Sequence, residues 1–288
     1  MQDFAVSEIE TTLVPTDSRA LDSGYWWGNA LRGALGTSLR FLLCRRRGTP
    51  CATCVDSSSC DFPRLWQPER GHTSASRGPR FRLAPWLLHT CVVPAGLKVH
   101  LRLFGTAARD SWRWRVALEL AAARGIGPGL QVFRIEAPLT LRESTLHALA
   151  PPSPPTDGPL VVRLLSPLRL VEDGHPLRAA PSFSTLVAAA ERRLRLAQLC
   201  WSDTPPPPNA SYLEGPRGVA IVSARIGWQE LTRYSRRQQR LMHLGGLTGE
   251  ITYAQGWAPF WSVLGPAAVL HLGKLTTMGL GEIGFGPG

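Results

Sequence analysis

The chain has 288 residues, 44% of them hydrophobic, enough for one large domain or two ordinary ones with proper cores. Thirty-two basic residues against 21 acidic ones give a formal charge of +11 and a pI near 10.2, which points to a polyanionic partner, nucleic acid ahead of a membrane surface. No apolar run reaches the roughly 18 residues of a membrane-spanning helix. The start "MQDFAVSEIE" carries acids rather than a basic-then-apolar export signal, so a cytoplasmic protein without membrane attachment is expected.

Taken in order, "AVSEIETTLV" reads as a strand, and "GNALRGALGTSLRFLL" as a helix with Leu31, Leu35, Leu39 and Leu42 on its packing side. A cysteine-rich insert follows at about 44–60. There Cys44, Cys51, Cys54 and Cys60 form C-x6-C-x2-C-x5-C, a spacing at which thiolates can close a tetrahedral zinc site. Structural zinc leads this reading; an iron–sulfur cluster and free loop thiols are the alternatives. Cys91 and Cys200 read as core residues, and without an export signal a disulfide framework is not expected. A poorly defined strand near "RFRLAP", the strand "LKVHLRLFG", the helix "SWRWRVALELAAARG" and the strand "QVFRIEAP" complete the first half.

"PPSPPTDGP" (Pro151–Pro159) excludes helix and central strand and reads as a linker between domains at 1–150 and 160–288. Beyond it come the strand "LVVRLLSPLRL" and a helix, "SFSTLVAAAERRLRLAQLCW", with Leu186, Ala190, Leu194 and Leu199 near one face and Ser182 or Ser184 as cap. Two strands follow, around "GWQELTRYSRRQQRLM" and "LTGEITYAQ", then an apolar helix expected to break or kink near Gly265-Pro266, and a last strand, "LGEIGF". The order β-α-β-β-α-β is ferredoxin-like. The first half repeats it more loosely, so the fold class is α+β: two tandem ferredoxin-like (RRM-like) domains ending in a glycine-rich loop.

That loop, "HLGKLTTMGLGEIGFGPG", carries the most chemistry. Gly279 and Gly281 let backbone N–H groups face a phosphate with no Cβ in the way. Thr276 and Thr277 add hydroxyls, and Lys274, one of only two lysines beside Lys98, adds a point charge. The lysine precedes the glycines, which excludes the GxxxxGK[ST] arrangement of NTPases. A structural turn and a phosphate cradle both remain open on these residues alone. "RYSRRQQR" places Arg233 and Arg237 on one face of its expected strand and Arg236 and Arg240 on the other, one row lining a nucleic-acid groove. "RRR" (Arg45–Arg47) is a second basic contact candidate. Among seven histidines, His271 stands beside the glycine-rich loop, His243 in a turn, and His72 in a polar stretch.

Five segments, in order, resemble one family: "GNALRGALG", "ARGIGPGLQVFRI", "LLSPLRL", "RYSRRQQRLMHLGGLTGEITY" and "HLGKLTTMGLGEIGF". The chain is similar to the RAMP-superfamily endoribonucleases that cut precursor CRISPR RNA, CRISPR-associated protein family six. The resemblance implies tandem ferredoxin-like domains with an RNA groove, and cleavage within the repeat hairpin with no metal for catalysis. It also implies 5′-OH and 2′,3′-cyclic phosphate ends, and a product that stays bound and joins other CRISPR effector subunits. Family members often place a catalytic histidine or tyrosine near the first helix. Here that segment has no histidine, and Tyr25, Arg32 and Arg40 are its polar candidates. The resemblance makes His271, Arg32 and Tyr25 the catalytic candidates. It makes Lys274, Thr276, Thr277, Gly279, Gly281, Arg40, Arg233, Arg236, Arg237 and Arg240 the RNA-binding ones. A non-catalytic RAMP-type subunit that holds guide RNA is the alternative function.

Overall fold

The computed structural model describes residues 3–66, 83–136, 139–152, 158–202, 218–235 and 239–287, in two compact units that divide after Thr145. The N-terminal unit is a sheet built on β1 (Ala5–Pro15). Odd positions of this strand, Ile9 and Leu13, are fully buried beneath helices, while even positions carry Glu8 and Glu10 to the opposite face. β3 (Gly96–Phe104) pairs antiparallel with β1, and β2 (Trp86–Val93) flanks β3. The fourth-strand place is shared: β4 (Phe133–Ile135) pairs with the end of β1 and β5 (Thr140–Thr145) with its start. With α1 (Trp27–Leu43) and α4 (Ser111–Arg124), this is the ferredoxin-like order; α2 (Asp61–Trp66) and α3 (Thr106–Arg109) are short additions.

Leu31, Leu35 and Leu39 of α1 are fully buried as their spacing predicts. Leu42 is not: it is 39% exposed, and no residue of α1 after Leu39 is buried. The second strand also starts later than expected. "WLLHTCVV" forms it, hairpinned onto β3 through Gly96 at φ +147, while residues 80–82 of "RFRLAP" lie outside the described residues. Its first residue anchors the unit. Trp86 stacks on Trp66 at 4.5 Å, and Trp66 lies against the backbone of α1 at Gly36, where a Cβ would stand 2.4 Å from the ring.

The C-terminal unit has strand order β13-β6-β12-β9, all antiparallel, from β6 (Leu160–Leu168), β9 (Ile221–Gln229), β12 (Gly246–Tyr253) and β13 (Ile283–Pro287). Its helices are α6 (Phe183–Trp201) and α7 (Trp261–Leu270), with the single turn α5 (Leu146–Leu149) ahead of β6. Leu186, Ala190 and Leu194 of α6 are fully buried, and the Ser182 hydroxyl caps the helix by accepting the Thr185 N–H at 3.1 Å. α7 is not broken at Gly265-Pro266: Pro266 lies inside a continuous helix whose Val263, Leu264, Ala267 and Leu270 are buried. Both flanks of the proline-rich stretch, at Pro151 and Gly158, accept hydrogen bonds from Trp261 and Trp257 of this unit.

Two small hairpins interrupt the pattern: β7 (Val171–Glu172) with β8 (His175–Pro176), and β10 (Thr232–Ser235) with β11 (Arg240–His243). The second corrects the sequence reading of "RYSRRQQR". It is not one sheet strand with two arginine rows but the two arms of a separate hairpin, in which Arg233 faces Met242 and Arg240 faces Ser235. The sheet strand before it is "IVSARIGWQ". Among the described residues no helix is long and apolar enough to cross a membrane.

Candidate functional site

The glycine-rich loop is held from inside. Gly281 N–H donates to Pro167 and Lys274 N–H to Arg169, so the segment "LLSPLRL" forms the loop's wall. Leu272 N–H donates to Gly281, Met278 and Leu280 N–H groups to Leu275, and Gly279 N–H to Thr276. Gly281 has φ +82, and a Cβ there would meet the Leu272 carbonyl at 1.9 Å. The glycine is required by backbone against backbone. Arg169 then donates at 2.7 Å to the Gly245 carbonyl, which brings "LLSPLRL", "HLGG" and the C-terminal tail together.

His271 begins this loop at φ +54 and ψ +151, a conformation that costs a non-glycine residue about 1–3 kcal/mol. It is 3% exposed, and its Nδ1 stands 3.3 Å from the Leu280 carbonyl, which can only accept, so the ring donates there. Thr276 is buried as well. Its hydroxyl and the Leu270 carbonyl at the end of α7 accept from Nη2 and Nε of the buried Arg193, at 3.2 and 3.1 Å. Lys274 is exposed, and Thr277 is intermediate in exposure. Arg233 reaches the loop by donating to Met278 Sδ at 3.8 Å; Arg240 is exposed, and Arg236 and Arg237 lie outside the described residues. His243 pairs with Glu230 at 3.4 Å on an exposed hairpin, and His72 is outside the described residues.

In the N-terminal unit, α1 positions the other candidates. Tyr25 packs edge-on against Trp27 at 5.0 Å, and burial pushes its phenol above the usual range. Arg32 lies over the Trp66 ring, 5.3 Å from its centroid. Arg40 turns toward the cysteine insert and donates to the Arg47 and Thr49 carbonyls at 2.8 and 2.9 Å. Arg46 pairs with Asp56.

None of the six cysteines is in a disulfide. Burial raises the Cys60 thiol, and negative charge on Cys44, Cys51 or Cys54 would raise it further, so the four are electrostatic neighbours. No group of three His, Cys, Asp or Glu among the described residues is disposed to hold a metal ion. Cys91, expected in the core, is exposed on β2, because the odd positions at the end of that strand leave the covered face.

Three features escaped the sequence reading. Arg193 falls three residues after Ala190, on the buried stripe of α6, and that misfit was the available signal. Phe41 and Arg124 are in contact: the guanidinium of Arg124 lies 4.0 Å from the Phe41 ring centroid, which only the fold brings about. On the open sheet face, Glu8 accepts from His100 at 3.1 Å and Arg102 at 2.8 Å. The His100 hydrogen bond leads in lowering the Glu8 carboxyl to about 2, with Arg102 adding to it against the cost of burial.

The family model described as CRISPR-associated endoribonuclease Cas6 matches residues 162–283, and a second model, described as an N-terminal domain, matches residues 4–150. No curated protein matches. Among solved structures, a Cas6 product complex is 16% identical with a TM-score of 0.57, covering 98% of this chain and 100% of that one. Thermus thermophilus Cas6 is 12% identical with a TM-score of 0.53 over 99% and 98% of the two chains. The product of a Cas6-related gene from Pyrococcus furiosus is 12% identical with a TM-score of 0.50 over 97% and 98%. The glycine-rich loop and its wall "LLSPLRL" lie within the residues that match the Cas6 endoribonuclease family model, and the tandem ferredoxin-like architecture is the one that the solved Cas6 structures share.

Proposed function

We propose that this protein cuts precursor CRISPR RNA within its repeats by metal-independent transesterification and keeps hold of the product. The ribose 2′-oxygen attacks the adjacent phosphorus and gives its proton to solvent water. The bond to the 5′-oxygen breaks, and that oxygen takes a proton. The products carry a 2′,3′-cyclic phosphate and a 5′-OH. The match of residues 162–283 to the Cas6 family model carries this reading, and the net charge of +11 supports a polyanionic substrate.

The chemistry needs a proton acceptor, a proton donor and cations around the phosphorane. Tyr25 carries a phenol proton and is the donor candidate beside α1, although burial raises it and makes it a weaker acid. Arg32 is the cation on α1, and Lys274 the exposed one on the glycine-rich loop. His271, buried and bonded to Leu280, acts here as a positioning residue that fixes the loop carrying Lys274. The bound product then joins other CRISPR effector subunits as their guide.

The lack of a histidine on α1 favours one rival, a RAMP-type subunit that holds guide RNA without cutting it. Incubation with cognate repeat RNA in EDTA, followed by end mapping, separates the two. Cyclic phosphate ends are expected; tight binding of RNA that stays intact would establish the rival. Tyr25→Phe should slow single-turnover cleavage roughly 100-fold, the lower end of general acid catalysis. A structural zinc on Cys44, Cys51, Cys54 and Cys60 is a proposal resting on their spacing, and loading would have to draw the thiols together. Metal analysis after gel filtration should find about one equivalent of zinc per chain; less than about half would remove the proposal.

A further inference from the structure

We infer that the outer face of α1 carries a phosphate-binding subsite for single-stranded RNA, built by Arg47 and Arg124 around Phe41 and floored by Gly33. This deepens the RNA-processing reading above and rests on it. A cavity of about 600 Å³ opens there, between α1, α2 and the cysteine insert. Arg32, Arg40, Arg47 and Arg124 all line it, and no carboxylate does.

The charges are concentrated. The guanidinium carbons of Arg47 and Arg124 lie 4.1 and 4.0 Å from the centroid of the same Phe41 ring. Among the described residues neither arginine has an ion-pair partner, although Arg47 donates to the Phe41 carbonyl at 2.9 Å. Two guanidiniums on one ring lie within about 8 Å of each other, where like charges repel and a nearby anion relieves the repulsion. Phe41, 37% exposed, holds both guanidiniums against its ring before any ligand arrives.

Gly33 is an independent sign. It sits mid-helix and exposed, where glycine weakens a helix relative to alanine. Packing does not demand it: a Cβ there would meet nothing within 4 Å. What glycine provides is bare helix backbone on the cavity floor, where another chain can approach closely. An isolated phosphate would fill a small part of this volume. A strand of RNA fills it with its backbone over Gly33.

The test measures binding of a fluorescein-labelled oligouridylate of about 12 nucleotides, within the range of single-strand sites, to the full chain across a salt series. Arg47→Ala and Arg124→Ala are each expected to weaken binding roughly tenfold and to flatten the plot of log affinity against log salt by about 0.7, the value of one single-strand phosphate. Gly33→Ala separates binding from folding. Alanine should raise the melting temperature by about 2–4 °C while weakening the oligomer at least threefold. Arg134→Ala, exposed on β4 and away from the cavity, should leave binding unchanged. Unchanged affinity and slope in the two arginine variants would overturn the subsite. So would Gly33→Ala binding as the parent does. The cleavage assay above runs separately with repeat RNA, so a chain that cuts its repeat yet shows no effect here refutes the subsite alone.

Discussion

The glycine-rich loop and the outer face of α1 are both made of what nucleic-acid sites are made of, yet they use it in opposite ways. In the loop, the N–H groups of Leu272, Lys274, Met278, Gly279, Leu280 and Gly281 all end on carbonyls of the protein, and Arg193 is buried against Leu270 and Thr276. Beside α1, the guanidiniums of Arg47, from the cysteine insert, and Arg124, at the end of α4, meet the Phe41 ring and an open cavity. A motif rich in donors is therefore no evidence of a cradle until those donors are followed to their partners. In this chain the loop is a scaffold that leaves Lys274 exposed, and the cavity beside α1 gathers four arginines with no carboxylate in its lining.

Substitutions sharpen that contrast, because they should cost stability in one region and binding in the other. Gly281→Ala forces a Cβ onto the Leu272 carbonyl and should lower unfolding stability by about 3 kcal/mol or more in chemical denaturation. Arg193→Met removes both charged hydrogen bonds beneath the loop and should cost about 2–3 kcal/mol. Acid should act on the N-terminal unit through Glu8, whose carboxyl lies at about 2 in the fold against the ordinary 4.5. That stabilisation is complete above the ordinary value and is lost as pH falls from there toward 2. Glu8→Gln should therefore remove up to about 3 kcal/mol at neutral pH and flatten the acid limb of the stability curve. Arg124→Ala, by contrast, should change stability by less than about 1 kcal/mol, since it loses one partly exposed cation–ring contact. A large loss there would break the comparison, for it would make the arginines around Phe41 structural as well.

The architecture was legible because the apolar periods carried it. Leu31, Leu35 and Leu39 in α1 and Leu186, Ala190 and Leu194 in α6 fix their helices by spacing alone, and strand alternation gave both element orders. The boundaries that moved lie where polar composition erases alternation: "RYSRRQQR" became hairpin arms, and the fourth strand of the N-terminal unit divided between β4 and β5. The site was less legible, for a physical reason. Thr276, Gly281 and His271 were visible as residues, but whether a donor faces solvent or a carbonyl depends on long-range contacts such as Gly281 to Pro167. The pairing of Phe41 with Arg124, 83 positions apart, has no local signature at all.

Amide hydrogen exchange across residues 271–282, with and without repeat RNA, tests this division most directly. A loop whose amides are already bonded to the protein should be strongly protected in the free chain and should change little when RNA binds. Rapid exchange in the free chain that slows sharply on adding RNA would contradict the account, because the loop itself would then be the phosphate cradle.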